Sequence, residues 1–318
     1  MKISKVLLTL LVVLLSAFSG YPAKHFASLN LDQRSLLEKS LSIKWDQNGL
    51  FKGRMATIME TNTGKSEFLY LDNFNEDFRA ISFWKRNIPV LDQYSQLTSP
   101  RLLLTYLFFL NAPEDLQTRN RVFHRSSNVQ ALSTLGVTFL AISKKLTPPG
   151  EGVIKVGQYG SLNRDLYKIE ESNTKGYSVT KYKFLQDIGK NSLRSELIQS
   201  LTQRDFILLE KPLFNRKFTH IASNSSIRGS KNGIKVQASS SGWSIIVVPF
   251  EYSNCLELLD ITPGSFKPKI YPANLGLTAI TFYKNLNVEL RYRYLGSFKF
   301  TCRIEDFKDI QRLKPFLP

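Results

Sequence analysis

A metal or hydrolytic centre needs convergent ligands, and this 318-residue chain is sparing with them. Its only histidines, His25, His124 and His220, fall into no HxxH or HExxH spacing, and its two cysteines, Cys255 and Cys302, form no Cys-x-x-Cys pair. That spacing argues against zinc. There is no GxSxG elbow, no Walker A loop and no GxGxxG after a strand, so nucleophilic hydrolysis and phosphate cradling lack their usual scaffolds. Each lone histidine reads as a surface or core residue. Glu305-Asp306 with Asp309 supplies paired carboxylates, which acid–base catalysis requires. Their place at the edge of a C-terminal helix makes them read as a solvated or capping cluster. The expectation is a chain with no catalytic residue, no metal and no cofactor.

Binding chemistry is better represented. In the loop-like segment Ile88–Pro100, Asp92, Gln93, Tyr94, Ser95 and Gln96 stand together without an apolar period, and Trp84, Lys85 and Arg86 lie just upstream. Loops on a rigid scaffold are where binding residues concentrate. Polar and aromatic groups of these types hydrogen-bond to and stack on sugars, and the cations suit phosphate. Trp84, Arg86, Asp92, Gln93, Tyr94 and Gln96 are therefore the candidate ligand-binding residues. The competing reading is a surface loop satisfied by its own turns and by water.

Cys255 and Cys302 are 47 positions apart, each beside an expected strand. In an oxidising compartment they are disulfide candidates, worth roughly 3–4 kcal/mol by the chain-entropy account; two separate buried thiols are the alternative. Trp243, Tyr252, Tyr271, Phe282, Tyr283, Tyr292 and Tyr294 crowd the same region. Flat faces near Asn, Asp and Arg can stack on sugars, but strand alternation makes core packing the better account of most of them.

The elements that must position these groups are mostly strands. Over 234–304, Ile234, Val236 and Ala238 alternate with Lys235 and Gln237, and Val288, Leu290, Tyr292 and Tyr294 alternate with Glu289, Arg291 and Arg293. Period two means antiparallel strands with one dry face. Ser240-Ser241-Gly242, Thr262-Pro263-Gly264 and Lys284–Asn287 punctuate them at the spacing of a sandwich. Upstream, the pattern predicts helices over Leu31–Leu41, after Pro100 over Leu102–Leu110, after a capping box at Ser127–Gln130, and on the stripe Leu193, Leu197, Ile198 and Leu201. Strands are expected at Lys52–Met59, Glu67–Leu71, Val137–Ile142, Val153–Val156, Leu166–Glu170, Tyr177–Phe184 and Phe206–Glu210, with Lys145–Gly152 as a boundary loop. The expected fold is α+β and predominantly β: a mixed α/β part at 24–148, then a β-rich part at 149–318 with an antiparallel β-sandwich or jelly-roll-like core at 234–304.

Residues 1–23 stand apart. Lys2 and Lys5 precede a 13-residue apolar core from Val6 to Phe18, too short for a ~20-residue bilayer span. This reads as a secretory signal peptide cleaved near Ser16–Ala23, or as a signal anchor if the span extends through Tyr21. Either places the rest of the chain outside the cytoplasm, periplasmic or at the cell surface. The net charge of +17 invites a nucleic-acid reading. Yet the charge is dispersed, with 16 Lys/Arg against 7 Asp/Glu over 211–318 and the remaining surplus of 8 upstream, and no nucleic-acid module is present. A solvated basic surface, or one that meets anionic lipid or phosphorylated glycan, fits better.

Gly242–Asn254, then Pro272–Ile280, then Val288–Tyr294 resembles the C-terminal extracytoplasmic domain of YfhO-type bacterial membrane proteins, multi-span glycosyltransferases of the GT-C kind. In that family a strand ends in a Tyr-x-x-Gly-Trp turn, an Asn-containing loop follows, and the last strand is a ladder ending in Tyr. Upstream, Leu135–Leu140 resembles the family's Leu-Gly-Val-(Arg/Lys)-Tyr strand, and Arg204-Asp205-Phe206 precedes the strand at Ile207–Glu210 in the expected order. The likeness covers roughly residues 50–305. Cys255 and Leu256 stand where the family has Gly-Trp, and no membrane bundle, where the family's catalytic carboxylates are expected, precedes the domain. The resemblance thus implies a noncatalytic accessory domain of envelope glycan or lipid-linked sugar transfer. Its partner would be a separately encoded multi-span glycosyltransferase, and its ligand a glycan or lipid phosphate. A secreted polysaccharide hydrolase or lyase, or a carbohydrate-binding module, is the alternative that the aromatic sandwich permits.

Overall fold

The strand Val137–Ser143 has four large or branched apolar residues in seven, and its residues from Val137 to Ile142 are all buried. Such a strand must be covered on both faces. It is the interior of a four-stranded mixed sheet. We describe the protein from a computed structural model over residues 49–58, 89, 91, 101, 105, 116–118, 121–123, 128–144, 149–159, 164–210, 217–230, 233–260, 266–292 and 301–313. The chain divides into compact units Met1–Ser42 and Ile43–Pro318; everything described lies in the second. The leader, the helices expected over Leu31–Leu41 and Leu102–Leu110 (Arg101 and Thr105 aside) and the strand expected at Glu67–Leu71 lie outside the described residues.

Among the described residues the protein is α+β and predominantly β. The strands are β1 (Arg54–Ile58), β2 (Leu116–Thr118), β3 (Arg121–Phe123), β4 (Val137–Ser143), β5 (Val153–Tyr159), β6 (Arg164–Ile169), β7 (Tyr177–Ser178), β8 (Lys181–Phe184), β9 (Phe206–Leu209), β10 (Ser223–Gly229), β11 (Ile234–Glu251), β12 (Leu256–Asp260), β13 (Lys269–Ala273) and β14 (Leu277–Tyr292). The helices are α1 (Val129–Thr134), α2 (Lys190–Gln203) and α3 (Thr301–Leu313). The smaller sheet runs β1-β4-β6-β5, with β1 parallel to β4; the larger runs β10-β11-β14-β13-β9-β8, with β12 also on β14 and β7 also on β11. β2 and β3 pair with each other. No described helix is long and apolar enough to cross a membrane.

The large sheet is built on the antiparallel ribbon of β11 and β14, 18 and 16 residues long, whose register shifts between Ser239 and Trp243. A bulge bends a strand. Val236 and Ala238 before the bend share one apolar cluster with Ile246 and Val248 after it, joined by Ile280, Phe282, Val288 and Leu290 from β14. The ribbon therefore folds across its own dry face. The other face, through Ile245, Val247, Leu277 and Ala279, joins a second core with α1, α2, β4 and β9. That core draws on Val137 and Leu140 as well as Leu197 and Ile207.

Local rules place the helices. In α2, Leu193, Leu197 and Leu201 recur every four residues and are almost fully buried, each burial contributing about 1.5–3 kcal/mol. α1 is capped by Asn128, one position later than the Ser127 box predicts, and its side chain accepts from the Ala131 N–H at 2.9 Å. The stretch Tyr177–Phe184, read as one strand, is two: β7 joins β11 antiparallel, while β8 joins β9 in parallel. Val179 between them turns into the core, so one alternating pattern serves two ladders.

Candidate functional site

The candidate ligand-binding residues Trp84, Arg86, Asp92, Gln93, Tyr94 and Gln96 lie outside the described residues. Positions beside them are described. The Met55 N–H donates to the Pro89 carbonyl at 2.9 Å, and the Leu91 N–H to the Met55 carbonyl at 2.8 Å, so the chain enters this loop along the outer edge of β1. It leaves through Arg101, which is 1% exposed.

Arg101 organises a buried ionic network. One amino group bonds Glu210 Oε1 and the Leu275 carbonyl (3.4 Å); the other bonds Glu210 Oε2 at 3.0 Å and Asp309 Oδ2 at 2.5 Å. Asn254 Nδ2 donates to both Asp309 (2.8 Å) and Asp306 (3.0 Å). Asp306 also accepts from the Ser253 hydroxyl and the Asn254 N–H, each at 2.7 Å, and Arg312 donates to Asp309 Oδ1 at 3.0 Å. Asp306 is 1% exposed and Asp309 7%. Of the carboxylates expected to form a solvated or capping cluster, Glu305 stays partly exposed and pairs with Lys308. Asp306 and Asp309 instead face inward on α3, where the Cys255–Cys302 disulfide, with Cα atoms 5.0 Å apart, seats the helix beside the Ser253–Cys255 turn.

Burial alone lowers the Arg101 guanidinium, but the hydrogen bonds and charge of Glu210 and then Asp309 more than reverse this and hold it above its usual value. Burial raises the Asp309 carboxyl, and the bonds from Arg101 and Asn254 outweigh it, leaving the group below the ordinary carboxylate range. The Tyr252 ring lies 5.3 Å from the guanidinium, and burial pushes its phenol up to about 12. With their oxygens occupied by fixed donors, these acids serve docking rather than proton transfer. Segments remote in sequence meet here, and no spacing rule could have flagged them.

A second polar node joins α1, α2 and β7. Arg204, left-handed at the end of α2 with φ 55°, donates through Nε to Thr134 Oγ1 at 2.7 Å and through an amino group to the Glu171 carbonyl at 3.1 Å and to the Ser133 hydroxyl. Asn274, fully buried, accepts from the Leu208 N–H at 2.8 Å and donates to the Tyr177 hydroxyl at 3.0 Å. Burial pushes the Tyr177 phenol above its ordinary value. This node is also structural.

The aromatic residues divide between core and surface. Phe282 is 1% exposed and belongs to the ribbon's core. At the bulge Trp243 stands opposite Tyr283, ring centroids 5.3 Å apart, and Phe266 closes a triangle at 5.2 and 5.3 Å. Trp243 packs inward on the main core, while Phe266 and Tyr283 are 45% and 36% exposed. Lys284, with φ 60°, sets its ammonium 5.4 Å from the Tyr283 ring centroid. Tyr283, Lys284 and Asn285 are exposed in succession, where regular alternation would bury one. This shelf offers solvent flat apolar faces beside a cation. Comparison with known proteins finds no family model, no curated protein and no solved structure that matches the chain.

Proposed function

We propose that the chain is a noncatalytic accessory domain, exported or membrane-tethered, that serves cell-envelope glycan or lipid-linked sugar transfer beside a separately encoded multi-span glycosyltransferase. The observation that supports this reading is that the short stretches resembling the YfhO-type extracytoplasmic domain meet in one packed unit. Gly136 lies so close to Pro249 that a Cβ there would be 2.8 Å from the proline Cβ. Arg204 bonds Thr134 immediately before the Leu135–Leu140 stretch, and Leu208 bonds Asn274. Ile280 and Thr278 pair with Ile246 and Val248. Parts of one domain must pack together, and this reading requires that these stretches do.

The test is sugar transfer by membranes that contain a multi-span protein encoded beside this chain, with and without residues 24–318 supplied. Transfer that depends on the added chain, while the purified chain alone turns over no polysaccharide, is the expected result. Transfer indifferent to the chain overturns the reading, and glycan cleavage by the purified chain replaces it with the hydrolase. Fractionation gives an independent check: the domain belongs outside the cytoplasm, and a soluble cytosolic pool with Met1 intact contradicts export.

A further inference from the structure

We propose that the shelf of Trp243, Phe266, Tyr283 and Lys284 is a binding site for a pyranose ring bearing an anionic group, either phosphate or carboxylate; the choice of a sugar rests on the accessory-domain reading above. Three observations carry the assignment. Rings that stabilise a fold turn inward, yet Phe266 and Tyr283 keep 45% and 36% of their surface in water while touching one another and Trp243. Their tilted, mutually braced faces cost a ligand little side-chain entropy to engage, and the C–H face of a pyranose is the flat apolar surface that stacks on such rings.

The backbone is also shaped at this point. The register of β11 against β14 breaks between Ser239 and Trp243, and Lys284 adopts a left-handed conformation uncommon for a residue with a side chain. Bulges re-aim side chains and recur beside binding sites. Here the break leaves three consecutive residues of β14 exposed and sets the Lys284 ammonium over the Tyr283 ring, so that Phe266 offers the open face and Lys284 the cation beside it.

Charge selects the ligand. Residues 234–250 and 261–288 contain no Asp or Glu, whereas Lys267 and Lys269 follow Phe266 and Lys284 follows Tyr283; all three lysines are exposed. A cation seated beside the rings attracts an anion and discriminates against neutral sugars.

The experiment titrates the whole chain, following tryptophan fluorescence and calorimetry, with glucose 1-phosphate, a uronic acid disaccharide, methyl glucoside, inorganic phosphate and vesicles of phosphatidylglycerol. Saturable binding of at least one charged sugar is expected, with methyl glucoside and inorganic phosphate each about tenfold weaker; the sugar phosphate and the uronic acid distinguish the two sources of charge. Tyr283→Ala should weaken binding about tenfold. Lys284→Gln, at an exposed position, should lower affinity for the charged sugar about fivefold and leave methyl glucoside unchanged. Failure of both charged sugars to bind, binding by Lys284→Gln equal to the parent, or shelf-dependent binding to vesicles without sugar binding overturns the site. If Tyr283→Ala does not fold, the Lys284→Gln comparison decides alone. Membrane sugar transfer that needs the chain, combined with no sugar binding, rejects the site while leaving the accessory role in place; transfer indifferent to the chain rejects the role itself.

Discussion

The guanidinium of Arg101 donates to Asp309 Oδ2 at 2.5 Å, joining residues 208 positions apart. Glu210 bonds the same guanidinium, so one cation ties the end of β9 to α3. Removing one partner from a buried ion pair leaves an uncompensated charge, which costs about 3–5 kcal/mol. Arg101→Met should lose that much stability in urea unfolding. Adding Glu210→Gln and Asp309→Asn should recover most of it, since the stranded charges are then gone. A single variant within about 1 kcal/mol of the parent contradicts this account.

Asp309 carries the acid sensitivity of this junction. Its folded-state pKa is depressed, burial being outweighed by the Arg101 and Asn254 hydrogen bonds. A depressed carboxylate contributes stability in full above its unfolded value, about 3.9, and loses that contribution as pH falls through the lower folded value. Asp309→Asn should therefore flatten the acid limb below about pH 4 while lowering stability at neutral pH. Melting curves from pH 2 to 7 that stay parallel for parent and variant would refute the assignment.

The Cys255–Cys302 bond secures the same helix covalently. Cys255 is 2% exposed and Cys302 half-buried, so a reductant reaches the bond from the Cys302 side. Reduction, or Cys255→Ser with Cys302→Ser, should cost roughly 3–4 kcal/mol. Amide exchange should accelerate first at α3 and at Ser253–Cys255, where the ionic contacts are lost with the helix. Uniform acceleration over β11 and β14 would show that the bond supports the β11–β14 ribbon rather than the helix dock.

Much of the architecture was legible in local patterns. The alternation at Ile234–Ala238 and Val288–Leu290, the apolar run at Val137–Ile142 and the stripe of Leu193, Leu197 and Leu201 all report which face is dry, because burial recurs with the period of the element, whereas Tyr292, next in the same alternation, is exposed at the end of β14. The division of Tyr177–Phe184 was not, since β7 and β8 keep similar alternation while joining different partners. Asp306 and Asp309 misled for a related reason. A carboxylate on a helix is normally exposed, and Arg101, Ser253 and Asn254, remote in sequence, add to Arg303 and Arg312 of the same helix to make their burial tolerable. The shelf was half visible: its aromatic crowding could be counted, but which rings face out depends on a bulge that alternation rules do not contain.

Gly136 and Gly152 allow backbone strain to be separated from contact. Both have positive φ, 80° and 84°, but a Cβ on Gly136 would stand 2.8 Å from Pro249 Cβ whereas a Cβ on Gly152 would meet nothing within 4 Å. Gly152→Ala should cost about 1 kcal/mol from conformation alone. Gly136→Ala should cost at least twice that, since the contact forces movement between β4 and β11. Equal losses in chemical denaturation would show that Pro249 does not constrain the turn.

Asn274 combines both effects at a buried position. It holds φ 47°, and its side chain is the partner of the Leu208 N–H and the Tyr177 hydroxyl. Its own N–H separately donates to the Leu208 carbonyl at 2.9 Å, so that backbone bond is retained in any variant. Asn274→Gly keeps the left-handed conformation accessible and removes only the side chain, leaving the Leu208 N–H without its acceptor; the expected loss is about 1–3 kcal/mol. Asn274→Ala loses the same acceptor and adds roughly 1 kcal/mol of conformational strain. Because Leu208 lies two residues before Glu210, amide exchange at Leu208 should accelerate in both variants and reach Glu210 next. If Asn274→Gly is as stable as the parent and Leu208 remains protected, the side-chain acceptor is dispensable and water or a shifted carbonyl replaces it.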